Sequence, residues 1–226
     1  AREGMELLRN QNAQLILVSS KTVPEMERIH REMGLSAPFI FENGGGIFWP
    51  DRGEELLGLT CGELKKNRDA LESALGGPVR FITEMEADEI ASLTGLSPER
   101  ARLSQQRTTS MPFIVPSGRR IGIDEMNEIN MALHDAGLQV TKGGRFYHLI
   151  SRQSDKGAAI ASVIEYYRRR GASRLKTVGI GDSENDIPMF KSVDIPVVVR
   201  KKDGSVIATG IGHIVETTAV GPAGFT

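Results

Sequence analysis

The octapeptide Gly179-Ile180-Gly181-Asp182-Ser183-Glu184-Asn185-Asp186 sets two carboxylates four residues apart, behind two glycines and an apolar run from Leu175 to Ile180. The run reads as a buried strand, and glycines at its end permit a sharp turn and a close approach to a ligand. Asp182 and Asp186 then fall in the loop at the carboxyl end of a strand, where open α/β sheets bind ligands. Two carboxylates there suit Mg²⁺, which takes one or two carboxylates and fills its shell with water and phosphate oxygens. A polar strand-to-helix loop with an aspartate cap would carry the same residues. Ser19, in Ser19-Ser20-Lys21-Thr22, offers a hydroxyl between a strand end and a helix start, where backbone N–H groups and the helix dipole favour an anion. A plain capped turn is the other reading of that segment. Lys156 opens a helix, where an ammonium opposes the dipole and asks for a carboxylate or phosphate nearby. Hydroxyl, ammonium and acidic pair together are parts that phosphoryl transfer uses. A cation and a lysine offset charge on the phosphoryl oxygens while fixed donors orient the group.

The elements that must position these groups follow from the rest of the chain. Its 226 residues suffice for one or two domains, and the 39% apolar and 25% charged fractions are those of a globular protein. A net charge of -1 argues against a general nucleic-acid binder. The single Cys61 excludes an internal disulfide and suits a cytoplasmic location. No apolar run of about 18 residues predicts a membrane span. Residues 1–13 read as the end of a helix and Gln14 to Val18 as a strand. Thr22 and Glu25 have capping-box spacing for a helix that Gly34 stops. Phe39 to Phe41 is a further strand, followed by Glu42-Asn43-Gly44-Gly45-Gly46, whose glycines suggest a tight turn or a close approach. Neither this run nor Gly179-x-Gly181 is a dinucleotide fingerprint, since Glu184 stands where a third glycine belongs.

Pro50 to about Thr60 reads as a linker. Beyond it, residues 63–151 mix helices (63–75, 87–93, 98–106, 124–136) with strands (79–83, 111–115, 138–141, 146–151), without strict alternation. Lys142-Gly143-Gly144-Arg145 forms a hairpin-type turn. Alternation resumes with a helix from Lys156 to about Arg170, the strand at 175–180, a strand at 195–199 and a loose tail. The expected fold is therefore α/β: a parallel-sheet, Rossmann-like core over residues 1–52 and 152–226, with an α+β cap inserted at 53–151.

Ser19, Lys156-Gly157 and Gly181-Asp182-x-x-Asn185-Asp186 resemble, in order, the second, third and fourth motifs of the haloacid dehalogenase (HAD) superfamily. Further stretches are similar to the mannosyl-3-phosphoglycerate phosphatase family: Ser19-Ser20-Lys21-Thr22, Glu42-Asn43-Gly44-Gly45-Gly46, Arg107 before Met111-Pro112-Phe113, Gly144-Arg145-Phe146-Tyr147-His148, and Gly221-Pro222-x-Gly224. The resemblance implies Mg²⁺-dependent hydrolysis of a phosphorylated sugar-glycerate through an aspartyl-phosphate. It implies Asp182 as metal ligand, with Asp186 binding through water or orienting that shell. Ser19, Ser20, Lys156 and Asn185 would hold the phosphate, with Ser19, Lys156 and Asp186 as the catalytic set. Lys21, Asn43, Gly44, Gly45, Arg107, Arg145 and His148 would meet the rest of the substrate. Arginine suits the glycerate carboxylate because its planar fork binds both oxygens.

The family's first motif, Asp-x-Asp-Gly-Thr, which supplies the nucleophile, occurs nowhere in the 226 residues. Three explanations stand: a missing N-terminal segment, a disordered one left out of the sequence, or a paralogue that binds without turning over. The intact remainder favours the first two. Other expectations left open are a capped HAD phosphatase acting on sucrose phosphate or a hexose phosphate, and the oligomeric state.

Overall fold

The computed structural model describes residues 2–172 and 174–225. Helix α1 (Arg2–Asn10) leads to strand β1 (Leu17–Val18), then helix α2 (Val23–Glu32) and strand β2 (Phe39–Phe41). The capping box at α2 forms as its spacing predicts: the Thr22 hydroxyl accepts from the Glu25 amide, and the Glu25 carboxylate accepts from the Thr22 amide at 3.0 Å. β1 and β2 pair in parallel, Leu17 beside Phe39 and Val18 beside Ile40. β3 (Gly46–Trp49) and β4 (Gly53–Leu56) extend the sheet antiparallel, in the order β1-β2-β3-β4. The linker expected over residues 50–60 thus contains a strand. Glu54 and Glu55 mask it in the sequence, because β4 is the sheet's outer strand and its side chains face water.

A second module follows. Helices α3 (Cys61–Lys65) and α4 (Arg68–Leu75) replace the single helix expected over 63–75. Then come β5 (Arg80–Phe81), α5 (Ala87–Thr94), α6 (Pro98–Ser104), β6 (Ser110–Ile114), α7 (Ile123–Ala132), β7 (Leu138–Lys142) and β8 (Tyr147–Ser151). The strands form an antiparallel sheet in the order β5-β6-β8-β7. Leu64, Leu71, Phe81, Met111, Phe113, Val140 and Leu149 form its own buried core. On β7 the apolar Leu138 and Val140, which pack that core, alternate with Gln139 and Thr141, which face the other way.

Helix α8 (Lys156–Arg169) returns the chain to the first module. β9 (Val178–Gly181), α9 (Ile187–Phe190), β10 (Ile195–Arg200) and β11 (Val215–Val220) complete it. These strands form a parallel sheet, β11-β10-β9. The tail expected to be loose contains β11. Its β-branched residues suit a strand, but its mostly exposed side chains erase the apolar alternation that would announce one. Ala159, Ile160 and Val163 of α8 share one core with Ile40, Ile47 and Trp49 of the first sheet and Val198 of the parallel sheet. α8 therefore binds the two sheets together.

β1 and β9 each end their sheet, and neither outer edge is paired to a strand among the described residues. Val178 is 54% exposed and Ile180 38%, unusual values for apolar residues of a parallel strand.

Candidate active site

The loops at the carboxyl ends of β1 and β2, in the first sheet, meet the loop at the carboxyl end of β9, in the parallel sheet, with the start of α8 against them. After β1, the Ser19 amide donates to the Ile40 carbonyl at 3.1 Å, and the Ser19 hydroxyl accepts from the Lys21 amide at 3.3 Å. The turn after β2 is built on that loop, with the Glu42 amide on the Lys21 carbonyl and the Asn43 amide on the Ser19 carbonyl, each at 3.0 Å. Glu42 and Asn43 hold φ values of 48° and 61°, the left-handed region that Asn tolerates and Glu seldom adopts. Gly44, at φ 92°, lies so close to α8 that an added Cβ would overlap the Asp155 carbonyl. The Asn43 carbonyl oxygen of the side chain accepts from the Asn185 amide at 3.0 Å, which ties the β2 loop to the β9 loop.

Lys156 is 5% exposed, and its Nζ donates to Asp186 Oδ1 at 2.6 Å. Asp186, 6% exposed, accepts on Oδ2 from the Asp182 amide, the Ser183 amide and the Ser183 hydroxyl at 3.0–3.2 Å. This carboxylate is committed to donors, and it fixes both the lysine and the backbone of the acidic loop. A Cβ on Gly181 would sit 2.6 Å from the Asp186 carboxyl group, so the glycine makes the room. Asp182 is different: its side chain is exposed and accepts from the Ser183 hydroxyl at 3.1 Å. Among the described residues no group of three or more His, Cys, Asp or Glu converges. The donor set, one exposed carboxylate beside an oriented one, fits a Mg²⁺ that borrows ligands from substrate phosphate and water.

A cavity of about 520 Å³ opens beside these loops. Asn43, Lys156, Glu184 and Asn185 line it from one side, and Asn127, Gln139, Thr141 and Ser154 are among its other walls. Among the described residues, four buried side-chain atoms without a hydrogen-bond partner belong to its lining: Asn43 Nδ2, Thr141 Oγ1, Ser154 Oγ and Asn185 Oδ1. Native interiors rarely leave such groups unpaired, so the cluster marks where a polar ligand would be read. Thr141, Gln139, Asn127 and Ser154 carry no sequence signal of this role. They are isolated polar residues, and the polar face of β7 could as well have met solvent.

The other expected residues are spread more widely. The Lys21 ammonium lies 3.4 Å from Glu25 and lines a separate small groove between α2 and α6. Arg107 donates to the Ser104 carbonyl, the Ser20 carbonyl and the Ser110 hydroxyl, which places it on the seam between the modules. Arg145 is exposed on the turn between β7 and β8. Ser20 contributes its carbonyl to Arg107, and a Cβ on Gly45 would overlap the Thr109 hydroxyl across the seam.

His148 faces Thr141 across β7 and β8 and is buried. Burial, then the charges of Arg107 and Lys156, push its imidazole down to about 3. The unfolded chain takes up a proton below about pH 6.5 that the folded one refuses until about pH 3. Stability is therefore full above the upper value and falls as pH drops through this window, by up to about 1.4 kcal/mol per pH unit. Urea midpoints at pH 7 and pH 5 should show His148→Gln losing about 2 kcal/mol less than the wild type over that interval.

Residues 122–211 match a family model described as haloacid dehalogenase-like hydrolase. The sucrose-phosphatase of Synechocystis, solved with sucrose and phosphate, superposes with a TM-score of 0.61 at 17% identity, over 96% of this chain and 84% of that one. A haloacid dehalogenase-like hydrolase of B. subtilis gives 0.62 at 13% identity, over 96% and 86%. The fold is thus the HAD one, a Rossmann-like parallel-sheet core carrying an α+β cap. Nearer relatives sharpen this. The glucosyl-3-phosphoglycerate/mannosyl-3-phosphoglycerate phosphatase of Persephonella marina is 34% identical over 92% of this chain and 81% of its own length. The mannosyl-3-phosphoglycerate phosphatase of Pyrococcus horikoshii is 32% identical over 88% and 82%. The chain belongs to this family of phosphatases, phosphoric monoester hydrolases within the HAD-like group.

Proposed function

We propose that the protein hydrolyses the phosphate of mannosyl-3-phosphoglycerate, or of its glucosyl counterpart, with Mg²⁺ and through an aspartyl-phosphate. The observation that carries this reading is the buried Lys156–Asp186 pair, set against the exposed Asp182 and beside the Asn43–Asn185 bridge, at the rim of a cavity with orphaned polar atoms. Ser19 and Lys156 bind the phosphoryl oxygens, Asn185 orients them, and Asp186 holds the lysine in place. Asp182 would hold Mg²⁺, which when bound would supply charge neutralisation at the phosphate. The cap takes the sugar-glycerate, with Thr141 and Gln139 added to the residues expected from sequence. We assign the cap to the chain between Leu57 and about Ser151, since β4 pairs with β3 in the core.

No Asp-x-Asp, the motif that supplies the family's nucleophile, occurs in the 226 residues. The unpaired edges of β1 and β9, with Val178 and Ile180 uncovered, support a further strand between them that carries it. Phosphate release from mannosyl-3-phosphoglycerate, with and without Mg²⁺, tests the reading on residues 1–226 and on the full-length gene product. Metal-dependent release by the latter alone is the expected result. Silence in both, with folded protein, would point to another sugar phosphate or to a phospho-ligand binder. No helix among the described residues is long and apolar enough to cross a membrane.

A further inference from the structure

Glu42 is fully buried, yet its carboxylate serves no residue of the core that carries it. Oε1 accepts from the Thr108 amide at 2.8 Å and the Thr108 hydroxyl at 3.0 Å. Oε2 accepts from the Thr109 amide at 3.0 Å and the Ser110 hydroxyl at 2.7 Å, with the Thr109 hydroxyl at 3.5 Å. All five donors lie on the stretch entering β6, in the other module. No lysine or arginine among the described residues forms an ion pair with it, so the buried carboxyl group is held by neutral cap donors.

The turn that presents Glu42 does not need that side chain. Its backbone is fixed by the Glu42 and Asn43 amides on the Ser19 and Lys21 loop, and by the Gly45 amide on the Glu42 carbonyl at 3.1 Å. The chain just before this cap stretch is joined to the phosphate loop twice: Arg107 Nη1 meets the Ser20 carbonyl at 2.6 Å, and the Thr22 hydroxyl meets the Leu103 carbonyl at 2.9 Å. The charge of Glu42 is also felt at Cys61, the cap residue whose amide donates to the Thr108 carbonyl at 2.7 Å. Burial, then Glu42, push that thiol up to about 12.

We propose that Glu42 is a positioning residue that latches the cap onto the phosphate-binding loops and so sets the depth of the cavity for the leaving group. This rests on the phosphatase reading above. The left-handed φ of Glu42 fits such a role, since a strained non-glycine residue persists where its surroundings over-determine it. Substrates whose leaving group fills the cavity need the latch. A small aryl phosphate, bound through its phosphate, does not.

The test compares the full-length protein and its Glu42→Gln variant on mannosyl-3-phosphoglycerate and on p-nitrophenyl phosphate. The variant should lose about 30-fold in kcat/KM for the sugar-glycerate, chiefly through KM, and stay within about threefold for the aryl ester. Equal losses on both substrates, or none on either, would overturn the latch. Should Glu42→Gln not fold, Ser110→Ala and Thr108→Val remove its donors singly and should each show the same selective loss on a smaller scale. Hydrogen exchange gives a readout free of substrate choice. The Thr108 and Thr109 amides should exchange at least about tenfold faster in the variant, while the Ser19 and Glu42 amides keep their protection. Unchanged exchange at 108 and 109 refutes the latch even if the wild type proves inactive on the sugar-glycerate, an outcome that would refute only the substrate reading.

Discussion

Asp182→Asn in the full-length protein should abolish Mg²⁺-dependent phosphate release, by about 10³-fold or more, and leave the melting temperature within a few degrees of the wild type. The size follows from the several kcal/mol of charge stabilisation that a bound divalent cation supplies. The stability follows from the position of Asp182. Its side chain is exposed and, among the described residues, meets the Ser183 hydroxyl, whereas its backbone amide, which the substitution keeps, anchors the loop on Asp186. Titrating Mg²⁺ into both proteins in a phosphate-release assay is the measurement. Activity retained by the variant would remove Asp182 from the metal site.

Asp186→Ala should have the second large effect, this time on fold and turnover together. The substitution strands a buried lysine ammonium and unpairs the Asp182 and Ser183 amides. Losing one partner of a buried pair costs about 3–5 kcal/mol. Lys156→Met alone is milder, because it removes the charge, keeps the packing and leaves Asp186 its other donors; turnover should still fall by about 10²–10³-fold. The double variant Lys156→Met/Asp186→Asn separates the roles. It should recover most of the stability lost in Asp186→Ala, by urea denaturation, while remaining inactive. A double variant with restored turnover would show that the pair is scaffolding alone.

Much of the candidate site's framework is legible in the sequence because it is local. Asp182 and Asp186 share one loop, and the capping box of Thr22 and Glu25 and the strand at Phe39 to Phe41 are both set by neighbours within a few residues. What escaped is what tertiary contact decides. Glu54 and Glu55 of β4 and Thr217 of β11 sit in outer strands whose polar faces look like loop. Glu42 read as part of a glycine-rich turn, and nothing in its neighbourhood announces donors 66 to 68 residues further on. Thr141 and Gln139 are ordinary polar strand residues until the cap is laid over the core. Which groups surround Arg107 is likewise invisible in the sequence, since an arginine's reach says nothing of which carbonyls it will meet.

The two crossings between the modules touch each other. A Cβ on Gly58 would overlap the Ser154 hydroxyl and lie 2.9 Å from the Ser151 Cβ. This has a kinetic meaning. The core sheets must find each other across roughly a hundred intervening residues, and closing so long a loop costs about 2–3 kcal/mol more than closing one of a few residues. Because the cap owns a separate apolar centre, it can assemble first and bring residues 58 and 154 together as its ends. The chain then condenses around α8 as though the insertion were a short turn. Refolding of the whole protein should accordingly begin with the middle of its sequence, with the loops of the candidate site forming last.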